Sequence, residues 1–255
     1  MKMGENGLVH ALLAPATVTT TMNGKSVQVE CQTNYPFEDT LLYNVQAEAP
    51  FDFYVRQPEW SDGATLTSSA GSSSHDADTN LHKVSLPAGA STVKYSINTG
   101  IRVEQRANDT VSIHRGALLF AAEIGADVSS TGPHNYTSQQ LYPADYAPPE
   151  SRDYVMLNTT EWNIAIDPST LEYHPASDAG SVGALPTPIF ASGSPKMFIT
   201  AKACLIDWPL FKGSVPGNVI PKDQRECRSA VFDAKLVPYG SAKTRMTDLP
   251  TIELS

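Results

Sequence analysis

The chain has 255 residues, 41% of them apolar and only 18% charged, with a net charge of −9. An acidic balance with no basic stripe argues against nucleic acid as a partner, and no apolar run reaches the ~20 residues of a helical membrane span. At this length roughly three quarters of the unfolded surface can be buried, so stability does not demand a metal or a disulfide staple.

The first stretch, MKMGENGLVHALLAPATV, carries one lysine and a short apolar patch. Its apolar core is shorter than a signal peptide needs, so it is read as a first strand, which leans the chain towards the cytoplasm. VTTTMNGKSVQVEC places Asn23-Gly24 between two alternating segments, the signature of a two-residue type I′ hairpin. LLYNVQAEAP and FDFYVRQPEW follow as strands. In the second, Phe51, Phe53 and Val55 alternate with Asp52, Tyr54 and Arg56, one face for the core and one for water. The serine-rich SDGATLTSSAGSSSHDADTN is read as a loop. LHKVSL then puts His82, Val84 and Leu86 on one face, and Val93, Tyr95 and Ile97 alternate in the next strand, with Ile101 and Val103 after them. TVSIHRGALLFAAEIG is the most apolar run, an alternating strand that turns at Arg115–Gly116 into a solid buried one. From Ala126 to Thr160 the chain is rich in Pro and Tyr with little periodicity and is read as long loops, as is Gly180–Pro195. WNIAIDPSTLEYHP reads as strand, turn, strand; KMFITAKACLIDWPL and CRSAVFDAKLVPYG are the last strands. Short strands with turns about every 8–12 residues, and no helical period, give an all-β fold: an antiparallel, jelly-roll-like β-sandwich spanning 1–255 as one domain, with no convincing boundary even near residue 126.

Three cysteines, Cys31, Cys204 and Cys227, contain no CxxC spacing, which excludes a zinc ribbon. Cys204 and Cys227 bracket a Pro/Gly loop; they are either a disulfide, in an oxidising compartment, or two buried thiols. Asn108-Asp-Thr, Asn135-Tyr-Thr and Asn158-Thr-Thr are sequons that matter only on a secreted chain.

Several side chains are candidates for chemistry. His114, next to Arg115, can bind an anion or exchange a proton, although a polar pair before a turn is the plainer reading. Glu123 closes the apolar run, where a raised pKa would suit a general acid. His134 sits with Tyr136, Tyr142 and Tyr146 in the long loop and can line a pocket. Trp208 beside Asp207, and Trp60 near Arg56, are candidate sugar platforms, because a ring face covers the apolar face of a sugar. No HxH or HExxH spacing suggests a metal, and no cofactor motif is present.

The stretches ENGLVHALLAPATV, HRGALLFAAEI, WNIAIDPSTLEYH, CLIDWPLFKG and LVPYGSAKTRMTDLP, in this order, resemble the carboxyl-terminal β region of fungal six-hairpin-glycosidase-like proteins. Bacterial relatives of that family include β-L-arabinofuranosidases. The resemblance implies a β-sandwich and a carbohydrate context. In that family the catalytic carboxylate, the nucleophilic cysteine and the zinc ligands lie in a preceding (α/α)6 barrel, so none of them has a counterpart here. The expected function is therefore a non-catalytic, glycosidase-associated β domain that binds a small carbohydrate, or pairs with a helical-barrel protein or a second copy of itself. The alternative is a cofactor-free cyclase or isomerase of fungal secondary metabolism, a pericyclase among the types considered, holding an apolar metabolite in a pocket of the β fold.

Overall fold

The computed structural model describes residues 2–3, 7–176, 185, 187–191, 193, 197–213 and 215–254. These form two compact units: 1–103 with 113–119 and 173–197, and 104–112 with 120–172 and 198–255. The fold is all-β, and the only helical pieces among the described residues are short 3-10 turns.

The first unit is a two-sheet sandwich. Its strands are β1 (Lys2–Met3), β2 (Gly7–His10), β3 (Ala16–Met22), β4 (Lys25–Gln32), β5 (Thr40–Ala47), β6 (Phe51–Arg56), β7 (Ala64–Ser68), β8 (Ser73–Asp76), β9 (Leu81–Leu86) and β10 (Gly89–Ile97). One sheet runs β1-β2-β6-β9-β8, the other β3-β4-β5-β10-β7. Every neighbour is antiparallel except β2 and β6, which run parallel. Alternation dictates the core. Val27, Val29, Leu41, Tyr43, Val45, Val93, Tyr95 and Ile97 from one sheet pack with Phe51, Phe53, Val55, Val84 and Leu86 from the other. Asn23 and Gly24 both adopt positive φ, 51° and 74°, between Met22 and Lys25, which pair directly; this is the type I′ hairpin that the dipeptide specifies.

The strands that follow are β11 (Ile101–Gln105), β12 (Thr110–Arg115), β13 (Leu118–Glu123), β14 (Ala126–Thr131), β15 (Asp153–Asn158), β16 (Ile164–Ile166), β17 (Glu172–His174), β18 (Phe198–Leu205), β19 (Leu210–Phe211), β20 (Val215–Pro216), β21 (Phe232–Pro238), β22 (Arg245–Met246) and β23 (Leu249–Pro250). The main sheet is ordered β11-β12-β13-β21-β18-β16, with β17 on β18, β22 on β13 and β23 on β12. The central run breaks at Gly116, where φ is +57°, into β12 and β13. In the second unit Ala165, Cys204, Ile206 and Trp208 form a core with Trp162, Val219, Met246 and Ile252 around it. Cys204 and Cys227 are joined as a disulfide. Beside it lies Arg225, 7% exposed. Its guanidinium donates to the carbonyls of Ile220 (2.9 Å), Asp109 (2.9 Å), Thr251 (2.8 Å) and Asn108 (2.7 Å). Four carbonyls thus compensate the buried charge, with the Asp109 carboxylate favouring it electrostatically.

Two expected loops contain strands. The serine-rich segment holds β7 and β8, because Leu66, 3% exposed, anchors one edge strand and cross-strand pairing with β9 suffices for the other. The stretch 126–160 holds the two-stranded ribbon β14–β15, with Val128 opposite Met156 and Asp127 opposite Leu157. Nearly every residue of the ribbon is exposed, Val128, Tyr154, Val155 and Leu157 included. The expected loop 180–195 lies largely outside the described residues.

Candidate functional site

The chemistry-bearing side chains separate into three places. The first follows from β12. Arg115 reaches Asp39, 76 residues away in sequence, at 2.5 Å through Nη2 and 3.4 Å through Nη1, and its guanidinium stacks over the Tyr173 ring at 4.0 Å. Burial raises the Tyr173 phenol above its ordinary pKa. The arginine is thereby committed to a bidentate, partly buried pair and is not left open to an external anion. His114, half-buried, precedes it on the strand. Trp60 is half-buried against the sandwich core, and a Cβ added at Gly116 would lie 3.4 Å from its indole. The Arg56 Nε is spent on the Ala11 carbonyl at 2.9 Å. Arg56 and Trp60 thus support the sandwich wall.

The second place is the loop of the β14–β15 ribbon. The Asp153 carboxylate accepts hydrogen bonds from the His134 backbone N–H (2.8 Å) and from its Nδ1 (2.9 Å). These bonds hold the Asp153 carboxyl below the usual range. Tyr142 and Tyr146 stack at 3.7 Å, while Tyr136, 93% exposed, points into solvent alone. His134 and the tyrosines therefore brace a loop, and Tyr136 does not join a shared wall.

The third place is a groove of about 430 Å3 in the second unit. Its floor is apolar: Ala122 from β13, Ile164 from β16, Leu205 from β18 and Ala234 from β21. Its rim carries Glu123, Glu161, Asp233 and Lys235, with the Thr160 and Ser229 hydroxyls. Phe232, 38% exposed, presents its ring there. The antiparallel pairing of β18 with β21 sets Lys202 opposite Asp233, and their side chains meet at 2.9 Å. Lys235 Nζ lies over the Phe198 ring at 4.7 Å. Glu123 ends β13 opposite Arg245 and is exposed at the rim, outside any apolar enclosure. The size falls within the range of small-ligand sites, and an apolar floor ringed by a few polar groups is their usual build. The remaining sequence candidates lie elsewhere. Trp208 is 6% exposed, its Nε1 donating to the Gly217 carbonyl at 2.8 Å and its ring packed on Trp162. It fills core and offers no free ring face to a sugar. Its neighbour Asp207 faces solvent.

Sequence reasoning found Glu123 of this groove and missed Phe232, Asp233, Lys235 and Glu161. Phe232 and Asp233 are both exposed at the start of β21, so the alternation that marks its inner residues gives no sign of them.

Residues 7–85 match the family model of the beta-L-arabinofuranosidase GH127 middle domain. That segment runs from β2 to β9 of the first sandwich. No curated protein sequence matches the chain. Among solved structures, a GH127 beta-L-arabinofuranosidase from Geobacillus stearothermophilus T6 aligns with 99% of this chain and 34% of its own, at a TM-score of 0.61 and 16% identity. A glycoside hydrolase aligns with 93% of this chain and 34% of its own, at a TM-score of 0.54 and 17% identity. The GH127 beta-arabinofuranosidase BT3674 aligns with 97% of this chain and 35% of its own, at a TM-score of 0.55 and 11% identity. The chain spans about a third of the length of each. At these identities the likeness is one of fold alone, an all-β architecture.

Proposed function

We propose that this chain is a carbohydrate-binding β module of the glycosidase-associated kind, with the β13–β21 groove as its binding site and no hydrolytic chemistry of its own. The observation that carries this reading is the composition of the groove. Three carboxylates and two hydroxyls surround an apolar floor and one exposed ring. Carboxylates and hydroxyls accept and exchange hydrogen bonds with sugar hydroxyls, while the Phe232 ring and the floor cover the C–H face of a furanose or pyranose. The excess of carboxylates disfavours anionic ligands. An acid-rimmed groove open to water also fits poorly the dry enclosure that an isomerase of apolar metabolites needs. The match of residues 7–85 to the middle domain of a beta-L-arabinofuranosidase family supports a sugar context and makes arabinose-containing oligosaccharides the first ligands to try.

Titration calorimetry of the purified chain tests this against arabinose-containing oligosaccharides and against a panel of terpenoids and polyketides. The expected result is heat from sugars only, with Phe232→Ala and Glu123→Gln each weakening binding by about tenfold. Heat from the apolar panel alone, or sugar affinity unchanged in both variants, would remove the groove from consideration.

A further inference from the structure

We infer that Asn108 and Asn158 carry N-linked glycans, because an oxidised cysteine pair and two sequons with solvent-facing asparagines occur together in the second unit. Cys204 and Cys227 are disulfide-bonded across a sequence separation of 23, and Cys227 is itself exposed. Exposed structural disulfides persist in secreted chains, and reducing compartments keep such thiols free. Forming this one passes two electrons and two protons to a disulfide oxidant of that compartment. The same compartment in a eukaryotic cell supplies the glycan. The asparagine Nδ2 attacks C1 of an oligosaccharide carried on a lipid diphosphate. The C1–Nδ2 bond forms, the C1–O bond breaks, the lipid diphosphate leaves with the electron pair, and Nδ2 gives up one proton.

Both acceptors suit a bulky, hydrated adduct after folding. Asn108 is exposed in the turn before β12, held in the left-handed region at φ 58°. Its backbone carbonyl accepts a hydrogen bond from Arg225 at 2.7 Å. Asn158 is exposed at the end of β15; one Nδ2 hydrogen reaches the Thr160 carbonyl at 3.2 Å, leaving the other for a sugar. Asn135 differs. It is half-buried, its Oδ1 accepts from the backbone N–H groups of Thr137 and Ser138, and its Nδ2 donates to the Tyr142 hydroxyl at 3.1 Å. That carboxamide organises its own loop.

A glycan on Asn158 has a physical consequence. Among the described residues the β14–β15 ribbon pairs only within itself and leaves two strand edges open beside exposed Val155 and Leu157. Open edges beside apolar side chains template strand pairing between chains. A hydrated oligosaccharide at the end of β15 obstructs that approach. Asn158 is also two residues from Thr160 on the groove rim, so the glycan borders the entrance to the proposed sugar site.

The test uses the chain purified from the cells that make it. Peptide-N-glycosidase in 18O-water converts each glycosylated asparagine to 18O-labelled aspartate, and a non-reducing peptide map locates the disulfide. Label at positions 108 and 158, with a Cys204–Cys227 linked peptide, is the expected result. Unlabelled asparagine at both positions, label at 135 alone, or free thiols at 204 and 227 would overturn it. Secreted Asn158→Gln should lose the mass of one glycan relative to the unsubstituted chain from the same eukaryotic host; an unchanged mass would refute the assignment at that site.

Discussion

His10 is 2% exposed, and its Nδ1 meets the Tyr43 hydroxyl at 2.9 Å inside the sandwich core. Burial lowers its pKa from 6.5 to about 4. The unfolded chain therefore takes up this proton near pH 6.5, while the folded chain resists it until about pH 4. The neutral imidazole costs nothing above pH 6.5, and stability drains away as pH falls from there towards 4, by about 3 kcal/mol in all. Urea midpoints measured between pH 7 and pH 4.5 should fall steeply in the unsubstituted chain and less in His10→Asn; equal slopes would show that other groups govern the acid limb. Nothing in ENGLVHALL announces this buried imidazole, because its partner lies 33 residues away on another strand. Trp208 teaches the same lesson. Asp-Trp-Pro after a strand looks like a surface aromatic, and only the folded chain reveals the Gly217 carbonyl that receives its N–H. Phe51, Phe53 and Val55 were readable for the opposite reason: a strand with one dry face writes its burial into its own alternation.

Single elements were legible where a local rule fixes them. Asn23-Gly24 demands a hairpin whatever surrounds it, and β9 puts His82, Val84 and Leu86 inward as its alternation requires. The β14–β15 ribbon obeys no such rule. Each of its faces mixes apolar and polar residues, so its strands carry no period, and its register is set across the long loop between Thr131 and Asp153. Glu123, Glu161 and Asp233 meet in one groove from three separate segments, which is why three carboxylates in the sequence did not read as a site. The Cys204–Cys227 bond makes a prediction at this scale. Closing a loop of this span restricts the unfolded chain by about 3 kcal/mol, so Cys204→Ser/Cys227→Ser should lower the free energy of urea unfolding by that amount. An unchanged midpoint would mean that the loop is already ordered without the bond.

In the whole molecule these sensitivities fall in different units. His10 and its Tyr43 partner belong to the first, the disulfide to the second. Cooperative units of a protein can open separately, each with its own free energy. Hydrogen exchange read peptide by peptide should therefore find His10→Asn loosening β5 and β6 while sparing β18 and β21, and the double serine variant doing the reverse. Uniform loosening in both variants would instead indicate one cooperative molecule. The passages of the chain between units at residues 103, 112, 119 and 172 coincide with no linker composition, while the one at 197 follows the Gly- and Pro-rich stretch 180–195. At the first four the sequence reads as strands and turns like the rest, so there the division is a property of packing alone. Within the second unit, Arg225 grips the chain at residues 108, 109, 220 and 251 through carbonyl oxygens, with the Thr251 hydroxyl 3.5 Å from Nη1. A clasp between a cation and an acid slackens in brine, where counter-ions screen it, and in vinegar, where the acid takes up a proton. The hydrogen bonds of this clasp offer neither weakness, since its carbonyl and hydroxyl oxygens have no charge to screen and no proton to gain, and only the attraction of the Asp109 carboxylate is open to both. The clasp should still hold in strong salt and mild acid, after the molecule's surface ion pairs have let go.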